Sequence, residues 1–508
     1  MLRLGQKISM VCVTAAMLAA PAAARAGDFM DTRISFTVSD DNVLQGPRNT
    51  NPSSPTFPSF LGSANNVQFY DNYDTKFSGF ETMSNLAIFK RMPSFFKNID
   101  TEAGLVLNAL VRDDSTVQLG DAGSFLRIVF PLGGNKERNN INFVAFPVSS
   151  DRFRGGYSYA ISWGGSPIFP GRGPVPGFKL TLVQPKWYLY VGAKTTLRPR
   201  KQPDGTTEVD TVGGGLLGFG VDFTESFTIE GNAGIFDRGQ IDKREVEREK
   251  LVGFGSSLQI AYHRGVPIGT SIDFQLYRND PDMPMKFFTP EIYDDGFSVL
   301  VKAEFSLLGQ TLQNINAPQS TKLQLAHAGD LNFAAKYRHV RFFLDAVYRS
   351  LSFIMYNSPG YPSYDDFPYG ADAEPELFLA AGFDYFIAAA HLTPGLKFGV
   401  QRPAFYRGPI AAGANPPQSL AGPQTVIIRD PGAPPDILDA GLDVEPVLAM
   451  TASAKWDISE MMSAAAQILV RYDTNKSTLS PDPNGINVTR TLLPPWSLGF
   501  NILLQSRF

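Results

Sequence analysis

Apolar and polar side chains alternate at period two along much of this chain. Phe297, Val299, Val301, Ala303, Phe305 and Leu307 share one face, with Lys302 and Glu304 on the other. Near the C-terminus Trp496, Leu498, Phe500, Ile502 and Leu504 alternate with Ser497, Asn501, Gln505 and Arg507, and Phe508 adds a final aromatic. This spacing predicts strands with one greasy and one wet face. Similar runs cover Thr32–Val38, Thr101–Val111, Tyr157–Trp163, Trp187–Ala193, Thr211–Phe223, Val252–Tyr262, Ile268–Leu276, Phe342–Tyr348, Leu448–Trp456 and Met462–Tyr472. Most are longer than the usual globular strand and suit a tilted strand of roughly 9–11 residues across a bilayer.

The connections are of two kinds. Gln184-Pro185-Lys186, Arg264-Gly265-Val266-Pro267, Arg338-His339 and Asp457-Ile458-Ser459-Glu460 read as tight turns. Segments 40–74, 164–177, 237–249, 281–295, 352–374, 403–444 and 474–493 are long and polar or Pro-rich. Short turns at one end and long loops at the other is the arrangement of a membrane barrel. The fold class expected is all-β: a single transmembrane antiparallel β-barrel of about 18–20 strands, with short periplasmic turns and long extracellular loops. Up-down parity fails at two places in this reading. Segment 309–319 is long where a short turn is due, unless 320–327 is an extra strand. The first strand, 30–38, conflicts with the middle of the barrel unless it sits outside the count or a hairpin near 139–164 is misread.

Composition narrows the class. A hydrophobic share of 43% is too low for a bundle of membrane helices, and after the N-terminus no run of about 18 apolar residues occurs. The N-terminus has basic Arg3 and Lys7, an apolar run Ile8–Leu18, and the small-residue site Ala24-Arg25-Ala26. That tripartite pattern predicts a cleaved signal peptide over 1–26 and a barrel over 27–508. Cys12, the single cysteine, lies inside the signal, which leaves the exported chain without disulfides or thiolate chemistry. The net charge of −4 gives no basic footprint for nucleic acid.

The closing alternation ending at Phe508, with the signal and the repeated strands, resembles Gram-negative outer-membrane β-barrel proteins of the porin-like kind. The resemblance covers the whole exported chain as architecture and matches no particular channel subfamily. It implies a bacterial outer-membrane location. It also implies recognition of the terminal strand, with Phe508 as assembly signal, by the barrel-assembly machinery, and contact with outer-membrane lipid and lipopolysaccharide. The oligomeric state is left open.

Strand parity sends one set of charges inward. Lys302, Glu304, Lys336, Arg341, Asp345, Arg349 and Arg471 are the expected pore-lining residues, with Asp473 beside the last. Both signs occur, so a solvated wall with local ion pairs is expected rather than a ring of one charge. Trp187, Tyr188, Tyr190, Trp456 and Trp496 suit interfacial girdles.

Enzyme chemistry is weakly represented. The sequence has no H-E-x-x-H, G-x-S-x-G or P-loop, and no cofactor, metal or catalytic residue is expected. His391 with Thr393, two residues on along a strand face, is the one arrangement that could serve a lipid hydrolase. The pairs Asp40-Asp41, Asp113-Asp114, Asp294-Asp295 and Asp365-Asp366 offer oxygens for calcium but lack the spacing of a calcium loop. The mixed-charge run 237–249 reads as a solvated loop. Tyr356, Tyr361, Tyr364, Phe367 and Tyr369 could bind a solute at the mouth or cover a small core of their own. Segment 403–444 reads as a constriction loop or a surface loop. The leading expectation is passive diffusion of small polar solutes, and the alternative is a structural or adhesive barrel closed by its long loops.

Overall fold

The computed structural model describes residues 31–40, 42–44, 81–96, 98–112, 117–121, 123–133, 138–150, 153–165, 174–201, 206–240, 250–265, 296–314, 316–356, 372–408, 424–429, 436–438, 442–481 and 488–507. The expected signal over 1–26, the run Ile268–Leu276 and Phe508 lie outside them.

The strands are β1 (Asp31–Asp40), β2 (Glu81–Pro93), β3 (Asp100–Arg112), β4 (Val117–Asp121), β5 (Phe125–Pro131), β6 (Asn140–Phe146), β7 (Gly177–Gln184), β8 (Trp187–Lys201) and β9 (Thr207–Thr224). They continue with β10 (Phe227–Gln240), β11 (Lys250–Arg264), β12 (Phe297–Gln313), β13 (Thr321–Tyr337), β14 (Val340–Arg349), helix α1 (Leu351–Tyr356), β15 (Asp372–Glu374), β16 (Glu376–Tyr385), β17 (Leu392–Arg402) and β18 (Ala404–Gly408). The last are β19 (Gln424–Ile428), β20 (Asp436–Leu438), β21 (Val447–Ser459), β22 (Met462–Tyr472), β23 (Ser477–Pro481), β24 (Val488–Leu492) and β25 (Trp496–Arg507).

Nineteen of these strands form one antiparallel sheet. β4 and β5 share one position, because β4 pairs with Leu107–Val111 and β5 with Asp100–Gly104 of the same strand. β1 pairs with β2 on one edge and with β25 on the other, Arg33 opposite Arg507. Each position therefore has two neighbours, and the sheet is a closed ring of 18. Closure is what an apolar slab demands, since an open edge would leave a row of backbone N–H and C=O groups unpaired in lipid. The even count is also what puts both chain ends of the ring on one side.

The faces follow the alternation. Outward positions include Leu189, Leu217, Leu258, Phe305, Leu331, Phe342, Leu379, Phe398, Ile468 and Ile502, all exposed. Inward positions on the same strands include Tyr190, Glu230, Ser257, Glu304, Thr451 and Asn501, all buried. At the tight-turn end Trp187, Tyr262, Tyr337, Tyr385 and Trp456 stand outward and exposed as one girdle. At the loop end Tyr472 and Trp496 meet with ring centroids 4.9 Å apart. Amphipathic rings at two levels, with an apolar band between, fit the two interfaces of a bilayer. Tyr188 and Tyr190 do not belong to the girdle. Their even parity turns them inward, where Tyr188 donates to Glu230 at 2.9 Å and Tyr190 is fully buried.

Four sequence expectations change. Tyr157–Trp163 is not a wall strand: it contains a short 3-10 turn, Tyr159–Ile161, within the long β6–β7 connection. Thr321–Tyr337 is a full strand rather than a possible addition. Arg264–Pro267 is no tight hairpin, because β11 pairs directly with β12, Arg264 opposite Val299. Strands β11 and β12 are therefore neighbours in the ring although 265–296 separate them in the chain, at the end where the other connections are short. Asp457–Ser459 belongs to β21, whose turn is 460–461. With these corrections the parity closes and 314–320 falls at the loop end. Asp113-Asp114, Asp294-Asp295 and Asp365-Asp366, with Asp41, lie outside the described residues. So do Tyr361, Tyr364, Phe367, Tyr369 and all of 241–249; Asp237–Gln240 close β10.

One substitution tests the face assignment. Ile468→Lys puts a charge in mid-band and should cost roughly 2–4 kcal/mol of folding stability, whereas Gln467→Lys, facing inward, should cost far less. Urea unfolding in vesicles measures both.

Candidate functional site: a strapped lumen

A ring of about 18 strands is too wide for its own wall side chains to fill. Here the described parts of the β6–β7 connection, 147–150, 153–165 and 174–176, fold inward as a strap. Phe153, Tyr157, Ile161 and Trp163 on it have no solvent exposure. They pack with inward Tyr190, Leu216, Phe236 and Leu308 in one apolar cluster. Trp163 meets Phe236 edge to face at 5.9 Å.

Wall glycines make the room. A Cβ on Gly192 would lie 2.5 Å from the Phe153 ring, and one on Gly255 would lie 2.7 Å from the Trp163 ring. No such contact is tolerable in a close-packed interior, so these positions need glycine for space.

Polar contacts fix the strap across the lumen. The Tyr157 and Ser158 backbone N–H groups donate to the two carboxylate oxygens of Glu304, at 2.9 and 2.5 Å. The Ser158 hydroxyl donates to Asp330. Gly156 N–H donates to Asn232 Oδ1 at 3.1 Å, and Trp163 Nε1 donates to Ser257 at 2.7 Å. Lys194 Nζ reaches the carbonyls of Phe153 and Gly164. These partners come from β8, β10, β11, β12 and β13. Glu304 alone accepts backbone N–H groups from two successive strap residues, and a hydrogen bond of this kind contributes about 1 kcal/mol.

The strap divides the interior. Beneath it, Lys179 and Glu230 are fully buried, with Lys179 Nζ 4.3 Å over the Tyr190 ring. Nearer the turns than the strap, Lys302, Asn332, Lys336, Arg341, Asp345 and Lys397 keep partial solvent access. Lys302, Asn332 and Asp345 stand side by side across β12, β13 and β14, and Lys336, Arg341 and Asp384 do so across β13, β14 and β16, two levels nearer the turns. Lys397 donates to Asp345 at 2.7 Å, Asn332 donates to the same carboxylate, and Arg341 Nε donates to Asp384 at 2.8 Å. The wall is thus a field of opposite charges in pairs, with no ring of one sign. Arg349 binds Glu376 through two parallel bonds of 3.0 Å, and Gln401 donates to the same carboxylate at 2.9 Å.

All seven residues expected to line the interior face inward. Lys302, Lys336, Arg341 and Asp345 come together on the water-reaching wall. Glu304 instead anchors the strap, and Arg349 is buried in its pair. Arg471, on β22, is buried near the loop end beside Asp473, away from the others. Asp330, Asn332, Asp384 and Lys397 were missed; the even parity of β13 and β16 and the odd parity of β17 would have found them. His391 and Thr393 do not share a strand face. His391 sits in a turn at φ 50° against Phe386, while Thr393 is buried on the inward face.

A cap of loop elements stands at the loop end. β15, β18, β19 and β20 make a four-stranded sheet, and β23 and β24 a hairpin. α1 packs Leu351 and Ile354 on Ala404, Tyr406, Val426 and Ile428, while its Phe353 and Tyr356 join the strap's cluster. The described parts of 403–444 therefore contribute to the cap. Arg429 ties the cap to the ring, at 2.6 Å from Asp473 and 2.7 Å from Asp436. Burial alone would raise the Asp473 carboxyl, but Arg429, Arg471 and Lys476 outweigh it and bring it down to about 2. Burial, with Arg471 adding to it, brings the Lys476 amine down to about 7.

No protein-family model matches the chain, and no curated protein is a sequence relative. Among solved structures, the chain is similar to a BenF-like porin from Pseudomonas fluorescens Pf-5, with 8% identity, TM-score 0.44, and 94% of this chain and 98% of that one covered. It is similar to the outer membrane protein OprD from Pseudomonas aeruginosa at 8% identity, TM-score 0.44, covering 94% and 93%. It is also similar to OmpT, an outer membrane protein of Vibrio cholerae, at 7% identity, TM-score 0.33, covering 94% and 96%. At such identities these are likenesses of backbone course alone.

Two outcomes are expected. Glu304→Ala removes both acceptors of the strap and should open 153–165 to protease while the ring stays folded, which limited proteolysis with mass mapping reads. For the cap, a carboxyl held below its ordinary value binds fewer protons folded than unfolded. Its stabilisation is therefore complete above about pH 4 and is lost as pH falls towards 2. Cap protection from protease should fall over that window. Asp473→Asn leaves Arg429 with Asp436 as its carboxylate partner and should remove about 1.5–3 kcal/mol of it at neutral pH.

Proposed function

We propose that this chain is a porin-like channel of the bacterial outer membrane, passing small polar solutes by diffusion. The observation that carries the reading is the closed ring whose inner wall keeps paired charges in contact with water beside the strap. A tube with a greasy outside and a wet, charged inside has one physical consequence: it lowers the cost of moving a hydrated solute across an apolar slab. The strap narrows the opening and sets its size limit.

In this reading the tight-turn end faces the periplasm and the loop end the exterior. The chain is exported by the signal over 1–26 and delivered to the barrel-assembly machinery through its last strand. Lys302, Lys336, Arg341 and Asp345 line the path, with Asp330, Asn332 and Lys397. Glu304 and Arg349 hold its shape, and Arg471 serves the mouth. Alternating signs favour neutral and zwitterionic solutes over ions of either charge alone.

A second reading has support from the cap. β15, β18–β20 and α1 together form a folded layer over one side of the mouth, which suits a barrel whose loops close it and present a surface. Single-channel recording in planar bilayers separates the two. A channel gives steps of conductance that grow in Glu304→Ala as the strap loosens. A folded ring that never conducts, yet conducts once 409–441 is deleted, supports the closed surface instead.

A further inference from the structure

The outside of the ring is not evenly convex. Near the loop end, across β13 to β17, lies a hollow of about 530 Å³. Its floor is made by two small outward residues, Gly329 and Ala346. A Cβ on Gly329 would meet only the Glu304 carbonyl oxygen, at 3.7 Å, so the wall leaves the space open. Leu331 and Leu379 flank Ala346 in one row across the strands, and Tyr348 with Leu377 follows Gly329 in the next. The three leucines are exposed.

A hollow that faces hydrocarbon must be filled from the membrane. Glu304 and Asp330 also border the hollow, but their carboxylates are taken up by the strap inside the ring. Water would therefore find few polar partners on this floor, and an empty space forfeits dispersion contacts on one side. A straight acyl chain supplies them. The end of the hollow towards the loops is polar. Arg402 stands at its rim, bound to Glu374 at 3.0 Å. Arg407 follows, bound to Asp443 at 2.8 Å. Both guanidinium groups lie over the Phe405 ring, at 5.2 and 5.3 Å. Each guanidinium carries five N–H donors, so one carboxylate leaves donors in hand for a phosphate. On the other bank His327 Nε2 and the Tyr348 hydroxyl lie 2.9 Å apart, which puts a polar pair at the same height as the arginines.

We propose that this hollow binds the lipid A part of lipopolysaccharide, one acyl chain lying over Gly329 and Ala346 and a glucosamine phosphate meeting Arg402 and Arg407. The proposal rests on the outer-membrane reading above, which puts the loop-end rim in the outer leaflet. It adds a site on the outside of the wall, apart from the path through it.

Native mass spectrometry of the full chain tests it, with lipid A and phosphatidylglycerol offered separately to delipidated protein. The wild type should hold one lipid A. Ala346→Phe, which fills the floor, and the double change Arg402→Gln with Arg407→Gln should each lower occupancy about tenfold, the equivalent of 1.4 kcal/mol. Phosphatidylglycerol should be held about tenfold more weakly than lipid A. Equal retention of lipid A by Ala346→Phe overturns the proposal, as does equal retention of both lipids by the wild type. If Ala346→Phe fails to fold, which its migration before and after boiling reveals, Gly329→Val makes the same comparison. Planar-bilayer conductance of the same samples keeps the two readings apart. Normal conductance with lost selectivity for lipid A sinks only this site, while absent conductance in wild type sinks the channel.

Discussion

The whole structure depends on the pairing of β1 with β25. Within an apolar slab, an unpaired backbone N–H or C=O group costs several kcal/mol, and an open sheet would carry a row of them on each edge. The register from Arg33–Arg507 to Asp40–Phe500 removes both edges at once. Everything else is a consequence of having closed a ring this large. The outside must be apolar, the inside must be polar or filled, and the chain must supply the filling.

The filling is unequal along the lumen. Under the strap, lysine and glutamate side chains are dry and held by rings, carbonyls and amides. Nearer the turns, similar side chains remain wet and pair with one another. The difference lies in what the strap covers and not in residue type, since β12 and β13 carry both the strap's anchors Glu304 and Asp330 and the wet Lys302 and Asn332. The strap's aromatic residues reach their places only because the wall drops to glycine beneath them. Replacing Gly192 or Gly255 would therefore disturb the interior as surely as removing Phe153 or Trp163.

Strand parity was legible wherever alternation ran long. Phe297–Leu307 and Trp496–Leu504 reveal their outward faces directly, and with them the inward Lys302, Glu304, Ser497 and Asn501. Failure came where other packing copied the same pattern. Tyr157, Tyr159, Ile161 and Trp163 alternate like a wall strand, but the strap places Tyr157, Ile161 and Trp163 in a dry cluster inside the ring, where period two has no meaning. Tyr188 and Tyr190 looked like girdle residues from their type, although their own parity, opposite to Trp187 and Leu189, already pointed inward. The glycines of 213–220 and 253–255 were the unused clue, since inward glycines on consecutive strands imply something large lying against them. The pairing of Lys397 with Asp345 and of Arg341 with Asp384 needs the order of strands in space, which no local pattern contains.

The strap's polar anchors have one property in common. Lys194, Asn232, Ser257, Glu304 and Asp330 all follow it in the chain, while Phe125, Val144 and Phe146 of the same apolar cluster precede it. Contacts distant in sequence form late, and the most distant of all is the seam that brings Arg33 opposite Arg507. The strap's anchors lie far nearer to it in the chain than the two sides of that seam lie to each other. The topology thus lets the interior be packed before the ring is shut.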